Sequence, residues 1–274
     1  MKPKFMLAIL QLRTELEKAV TMAKAERMVR EAADKGARVV VLPEMFNCPY
    51  DSAYFSVFAE SESGDSVAEM SRWAKENSII LVGGSIPEAE GDKLYNTCFV
   101  FDEQGKVIAK HRKVHLFDIN VEDGICFKES DNFSAGSEIT VFDTSLGKMG
   151  VMICFDIRFP ELARAMAKRG AELIICPAQF NTTTGPLHWE LSIRARAMDN
   201  ELFFVGASAA RYDNFSYEAW GHSIVAGPFG MIEATCDETE QILYCDIDLN
   251  EVDSVRRQLP TFLNLREDVY IVAH

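Results

Sequence analysis

The chain has 274 residues, 48% hydrophobic and 26% charged, an ordinary globular composition that excludes a disordered class. Its 28 Lys and Arg stand against 42 Asp and Glu, a formal net charge of -14. That balance repels phosphate backbones and anionic lipid, so neither nucleic acid nor a membrane is an expected partner, and an anionic ligand must be met by local cations.

Residues 5–12 are a continuous apolar run and predict a buried first strand. The segment before it has neither the h-region nor the cleavage site of a signal peptide, and no apolar run approaches the ~20 residues of a membrane span. Residues 15–35 predict a long helix, with Thr14 and Glu17 at capping-box spacing and Gly36 at its end. Residues 37–42 are a β-branched strand that stops at Pro43, and the acidic stretch 60–65 reads as a solvated loop. A helix capped by Ser66 runs to residue 77, followed by a buried strand over 79–86. Residues 94–114 predict two strands turned at 102–105.

The second half repeats this outline. A hairpin about Leu146 and Gly147 feeds an apolar strand to Ile153, and Asp156 offers an N-cap for a helix over 159–169. A strand over 172–176, a helix over 187–200, a strand over 202–207 and a hairpin over 223–234 follow. Strands alternating with amphipathic helices define an α/β class. The two similar halves predict two facing sheets with helices outside, and without a linker between them residues 1–274 form one expected domain.

The cysteines are Cys48, Cys98, Cys126, Cys154, Cys176, Cys236 and Cys245, an odd count with no Cys-x-x-Cys pair. A disulfide framework and a zinc ribbon are both disfavoured, and reduced thiols in the cytoplasm are expected. His111 and His115 have no helix to place them on one face and no carboxylate at ligand spacing, so no metal site is expected.

Functional groups of open α/β folds gather at the carboxyl ends of strands, and three polar residues stand at such ends. Glu44 follows a strand that reads as fully buried, so desolvation raises its pKa. Lys113 follows the strand over 107–112 and is either an inward ammonium or a snorkelling surface residue. Cys154 lies where a strand turns abruptly into a helix, which lifts its side chain and aims free backbone N–H groups past it. A Cys–His pairing has no local signature around Cys154.

Leu42-Pro43-Glu44, the run from Arg112 to Asp118, and the run from Ile153 to Phe159 together resemble the nitrilase-like carbon–nitrogen hydrolases, over essentially the whole chain. The resemblance implies a four-layer αββα sandwich, usually paired as a homodimer, without a cofactor. It implies a catalytic triad of Glu44, Lys113 and Cys154, with Glu129 as a second glutamate that either holds Lys113 or assists proton traffic. The N–H of Phe155 is the implied oxyanion donor. Many relatives carry Tyr at that position, which puts in doubt only a hydroxyl contact. The runs 46–50, 84–88, 94–97, 180–190 and 219–223 are most similar to the omega-amidase branch. That branch implies small 2-oxo dicarboxylic acid monoamides, 2-oxoglutaramate and 2-oxosuccinamate, hydrolysed through a Cys thioester. The alternatives are another amide, nitrile or N-carbamoyl substrate and, less favoured, a non-catalytic scaffold.

A nearby ammonium and helix N-terminus are expected to lower the Cys154 thiol pKa by ~1.5 units. Tyr50 and Arg211 are the candidates for binding the substrate carboxylate. Apolar residues over 252–274, including Val255, Leu259, Phe262, Leu263 and Tyr270, either cross to a partner or pack on their own subunit.

Overall fold

A computed structural model of the chain describes residues 2–120, 122, 126–211, 217–266 and 268–270. The elements run β1 (Lys4–Gln11), α1 (Lys18–Asp34), β2 (Ala37–Val41), α2 (Ser52–Phe58), α3 (Asp65–Asn77), β3 (Ile80–Val82), β4 (Ile86–Glu90), β5 (Lys93–Phe101), β6 (Val107–Arg112), β7 (Asp118–Asn120) and β8 (Cys126–Lys128). They continue with β9 (Thr140–Thr144), β10 (Gly147–Val151), α4 (Pro160–Lys168), β11 (Leu173–Ala178), α5 (Gly185–Asn200), β12 (Phe203–Ser208), β13 (Ile224–Ala226), β14 (Ile232–Thr235), β15 (Gln241–Asp248) and α6 (Asn250–Gln258).

One seven-stranded sheet has the order β15-β1-β2-β3-β5-β4, with β6 also on β5, and a six-stranded sheet has the order β14-β13-β12-β11-β10-β9. Strands β1, β2 and β3 are mutually parallel, as are β10, β11 and β12. Such strands are buried on both faces, which is why they read as unbroken apolar runs rather than as alternation.

The period of two along these strands still sorts the core. Leu7, Ile9, Val39, Val41, Ile80 and Val82 of the first sheet share one cluster with the strands of the second sheet and the inner residues of α4 and α5. Their neighbours Ala8, Leu10, Val40, Leu42 and Leu81 pack instead against Met28, Val29, Met70 and Trp73 of α1 and α3. The order is therefore helices, sheet, sheet, helices, an α/β sandwich of four layers.

Some local expectations are corrected. Helix α1 begins at Lys18 without a side-chain cap; Thr14 Oγ1 instead donates to the Phe46 carbonyl at 3.1 Å. Gly64, not Ser66, is the N-cap of α3, and the run 79–86 is broken between β3 and β4. Asp156 does not cap α4, which starts at Pro160; it lies in a 3₁₀ turn, Cys154–Arg158. Strand β15, which the sequence reading left unassigned, returns to pair antiparallel with β1. In α6, Val252 and Val255 are buried within the chain and Phe262 packs on the same core, whereas Leu259, Leu263 and Tyr270 are exposed. The last four residues of that segment lie outside the described residues.

Candidate active site

Glu44 leaves β2 through Pro43, and its turn is bracketed by the residues that follow β3. Ser85 N–H donates to the Pro43 carbonyl at 3.2 Å, and Met45 N–H donates to Ser85 Oγ at 3.0 Å. Gly84 has φ +58°, and a Cβ there would sit 2.1 Å from the Pro43 carbonyl oxygen. Only glycine permits that approach.

The Glu44 carboxylate is fully buried and saturated with donors. Its Oε1 accepts from Lys113 Nζ at 2.9 Å and Asn96 Nδ2 at 2.8 Å, and its Oε2 from the Gln179 N–H at 2.9 Å. Gln179 Nε2 also donates to the Glu44 carbonyl at 2.7 Å. Gln179 follows β11, so a fourth strand end contributes to the site.

Lys113 is wholly buried, which settles its two sequence readings in favour of an inward ammonium. Its Nζ lies 2.9 Å from Glu44 and 2.8 Å from Glu129 Oε2. Glu129, in a short 3₁₀ turn, accepts from Asn96 Nδ2 at 3.0 Å and the Phe117 N–H at 2.6 Å. Asn96 in β5 thus clamps both carboxylates at a fixed separation.

Cys154 stands three residues beyond β10 with φ +45°, a left-handed conformation that costs a non-glycine residue ~1–3 kcal/mol unless its surroundings impose it. The Cys154 thiol lies within the electrostatic reach of Glu44 and Lys113. Arg196 of α5 braces the same turn by donating to the Ile157 carbonyl at 2.9 Å. No hydrogen bond engages the Phe155 N–H among the described residues.

The electrostatics correct one expectation. Burial raises the Cys154 pKa well above its ordinary value, and Glu44 raises it further; Lys113 offsets only part of this. The resting sulfur is a neutral thiol. Burial also raises the Glu44 pKa, against the pull of Lys113 and with a push from Glu129. Burial alone would lower the Lys113 pKa, but Glu129 and Glu44 overcome it and hold the ammonium charged. Two carboxylates and one ammonium leave one net negative charge, so a resting thiolate would add a second in a low-dielectric site.

Tyr50 lies beside this cluster. Its ring centroid is 4.6 Å from that of Tyr217 and 5.5 Å from Phe127, and its buried hydroxyl has no partner among the described residues. Burial raises its pKa, and the charges of Glu129 and Glu44 act in the same direction. Arg211 donates to the carbonyls of Ala219 and Trp220 at 3.3 and 3.0 Å, pairs with Glu218 at 3.9 Å and covers the Trp220 ring.

Arg158, absent from the sequence candidates, ends the 3₁₀ turn that Cys154 begins, and the two interact electrostatically. It is half-buried over the rings of Phe155 and Phe180, donates to His188 Nδ1 at 3.0 Å, and has no carboxylate partner among the described residues. Burial lowers its pKa. Its position four residues after Cys154 was the signal available. Asn96 was legible only as a polar residue inside an apolar strand, and Gln179 only by extending the strand-end rule to β11.

His111 and His115 do converge on a carboxylate, contrary to their sequence reading, but as hydrogen-bonding partners of Asp156. Among the described residues no group of three or more His, Cys, Asp or Glu side chains is arranged to hold a metal ion. No helix among them is long and apolar enough to cross a membrane.

Polar groups at four strand ends of a four-layer α/β sandwich, converging on one sulfur, define an enzyme-like site. Residues 6–257 match the carbon-nitrogen hydrolase family, and the chain belongs to it, within the nitrilase superfamily. It is thus a hydrolase acting on carbon–nitrogen bonds. The chain is 48% identical to the omega-amidase NIT2 of Mus musculus over 268 residues, covering 98% of this chain and 97% of that protein. Its identity to the omega-amidase NIT2 of Homo sapiens is also 48%, with the same coverage. The crystal structure of Saccharomyces cerevisiae Nit3, a member of branch 10 of the nitrilase superfamily, superposes with a TM-score of 0.88 at 41% identity over 96% of each chain.

Proposed function

We propose that this protein is an omega-amidase that hydrolyses the terminal amide of 2-oxoglutaramate and 2-oxosuccinamate through a thioester on Cys154. The observation that carries the reading is the buried Glu44–Lys113–Glu129 cluster beside the Cys154 turn, with Arg158, which has no carboxylate partner among the described residues, in that same turn. The similarity to the omega-amidases supports the substrate class.

In the first step Glu44 takes the thiol proton as sulfur attacks the amide carbon. The proton moves within the buried cluster, so its net charge does not change and no new charge is desolvated. The oxyanion forms between the Phe155 N–H and Lys113 Nζ, and loss of either donor would cost ~3–4 kcal/mol. When the carbon–nitrogen bond breaks, Glu44 returns the proton to the departing ammonia. It then takes a proton from water as that water attacks the thioester, and the acid and the free thiol are regenerated. Glu129 and Asn96 act by position, holding Lys113 and Glu44 in register.

Arg158 is the fitting partner for the substrate carboxylate, since a guanidinium without a carboxylate of its own offers a paired set of donors. Arg211, engaged by two carbonyls, is replaced in that role. The unpartnered Tyr50 hydroxyl suits the 2-oxo group. No cofactor enters the chemistry, and chelator is expected to leave the rate unchanged.

The exposed apolar face of α5 and the β13–β14 hairpin, with Leu187, Leu191, Met198, Phe229 and Met231, is a fitting seat for a second copy of the chain, so we infer a homodimer. The seven free thiols suit a reducing cytoplasm.

Incubation with 2-oxoglutaramate tests the reading. Ammonia release that depends on Cys154 supports it; release no faster than in Cys154→Ala removes it.

A further inference from the structure

After β6, residues 113–117 run in no regular strand, yet they carry the ammonium of the site. Alternate N–H groups of this stretch are held from outside. Lys113 N–H donates to the Asn96 carbonyl at 2.9 Å, His115 N–H to Asp156 Oδ1 at 2.8 Å, and Phe117 N–H to Glu129 Oε2 at 2.6 Å. Two of these three anchors belong to the site as described; Asp156 does not.

Asp156 is fully buried and accepts four hydrogen bonds. Its Oδ1 also takes His115 Nδ1 at 2.7 Å, while its Oδ2 takes the Ile153 N–H at 3.0 Å and His111 Nε2 at 3.2 Å. His111 Nδ1 continues to Thr140 Oγ1 at 2.9 Å. His111 lies in β6 of one sheet, whereas Thr140 begins β9 in the other. The carboxylate therefore grips the residue before the nucleophile with one oxygen and the residue two beyond the lysine with the other. Burial alone would raise its pKa, but the bonds from His111 and His115 overcome this and hold it ionised.

We infer that Asp156 is a positioning residue that fixes the Cys154 turn against the Lys113 segment, and that it reaches that segment through His115. The inference rests on the reading of Cys154 as nucleophile and Lys113 as oxyanion donor. Cys154 is held at φ +45°, and such strain persists only where neighbours over-determine it. The Ile153 N–H bond closes that turn, the His115 bonds tie the closed turn to the Lys113 segment, and the His111 bond ties it to β6 of the opposite sheet. Because the tie acts on geometry between two reacting groups, its loss falls on kcat; a displacement of ~1 Å between such groups can cost ~10²-fold. The Arg158 guanidinium, though in the same turn, is held by His188 and the rings of Phe155 and Phe180, so KM for the amide is expected to change little.

His115 is partly exposed and stacks on Phe159 at 3.6 Å, so its variants are expected to fold. His115→Asn keeps a donor near the Nδ1 position; His115→Leu removes it. The expected result is a drop in kcat of about tenfold or more in His115→Leu with KM within about threefold, and kcat within about threefold of the parent in His115→Asn. Asp156→Asn, which turns an acceptor toward donors, is expected to lose about 10²-fold in kcat. The inference is overturned if His115→Leu keeps parental kcat, or if His115→Asn falls as far as His115→Leu. Turnover surviving in Cys154→Ala would instead remove the underlying reading, so the two failures are distinct.

Discussion

The Lys113 ammonium lies 2.9 Å from the Glu44 carboxylate, both side chains wholly buried, and this pair holds the carboxylate ready without ionising the neighbouring thiol. In the proposed mechanism Glu44 is the base toward a neutral nucleophile. Replacement by the neutral isostere in Glu44→Gln is expected to lower turnover of 2-oxoglutaramate by ~10²–10⁴-fold, the usual contribution of a positioned base. Steady-state ammonia release measures it, and turnover within tenfold of the parent would place the base elsewhere.

The same geometry fixes the sign of a pH effect. Burial raises the Glu44 pKa above the ordinary carboxylate value of 4.5. Glu44 must be ionised to accept the thiol proton, so activity is full above its raised pKa and is lost as pH falls through it. The acid limb of the kcat/KM profile is expected above pH 4.5, and the rate of Cys154 alkylation by iodoacetamide is expected to share it. A limb below that value would contradict the assignment.

Arg158 gives a prediction on specificity. Arg158→Met removes a charge-assisted pair worth ~1.5–3 kcal/mol, so KM for 2-oxoglutaramate is expected to rise by about 10–100-fold. Hydrolysis of an uncharged short amide is expected to change little, since it has no carboxylate to lose. Equal losses on both substrates would return Arg158 to a packing role over Phe155 and Phe180.

Gly84 links a backbone conformation to catalysis. A Cβ at this residue would press on the Pro43 carbonyl at 2.1 Å and must also accept φ +58°. Gly84→Ala is expected to lose ~1–3 kcal/mol of stability and to displace Glu44, lowering kcat beyond the loss of folded protein. Thermal unfolding and turnover per folded molecule check both parts.

The proposed dimer is tested on its apolar face. Leu191 is 67% exposed, and a glutamate there costs the free chain almost nothing. Leu191→Glu is expected to convert a dimer to a monomer by light scattering. A parent that is already monomeric would contradict the proposal.

The architecture was legible because its signals are local and redundant. The apolar runs of β1, β2, β10, β11 and β12 announce buried parallel strands, and Pro43 and the Cys154 turn mark where they stop. Glu44, Lys113 and Cys154 were singled out because each is the first chemically active group past a strand. Asn96 was hidden because its role depends on pairing β5 between other strands, a non-local fact. Arg158 was not singled out because local sequence does not say which guanidinium meets two carbonyls, as Arg211 does, and which lies over aromatic rings. The thiol pKa was misjudged for a related reason: burial, which outweighs Lys113, is a property of the packed molecule.

The central claim is a covalent thioester on Cys154, and rapid acid quench with intact-protein and peptide mass spectrometry tests it most directly. During turnover of 2-oxoglutaramate the parent is predicted to carry an acyl adduct on the peptide containing Cys154, absent from Cys154→Ala. Ammonia released at the parental rate by Cys154→Ala, or an adduct on another residue, would contradict it.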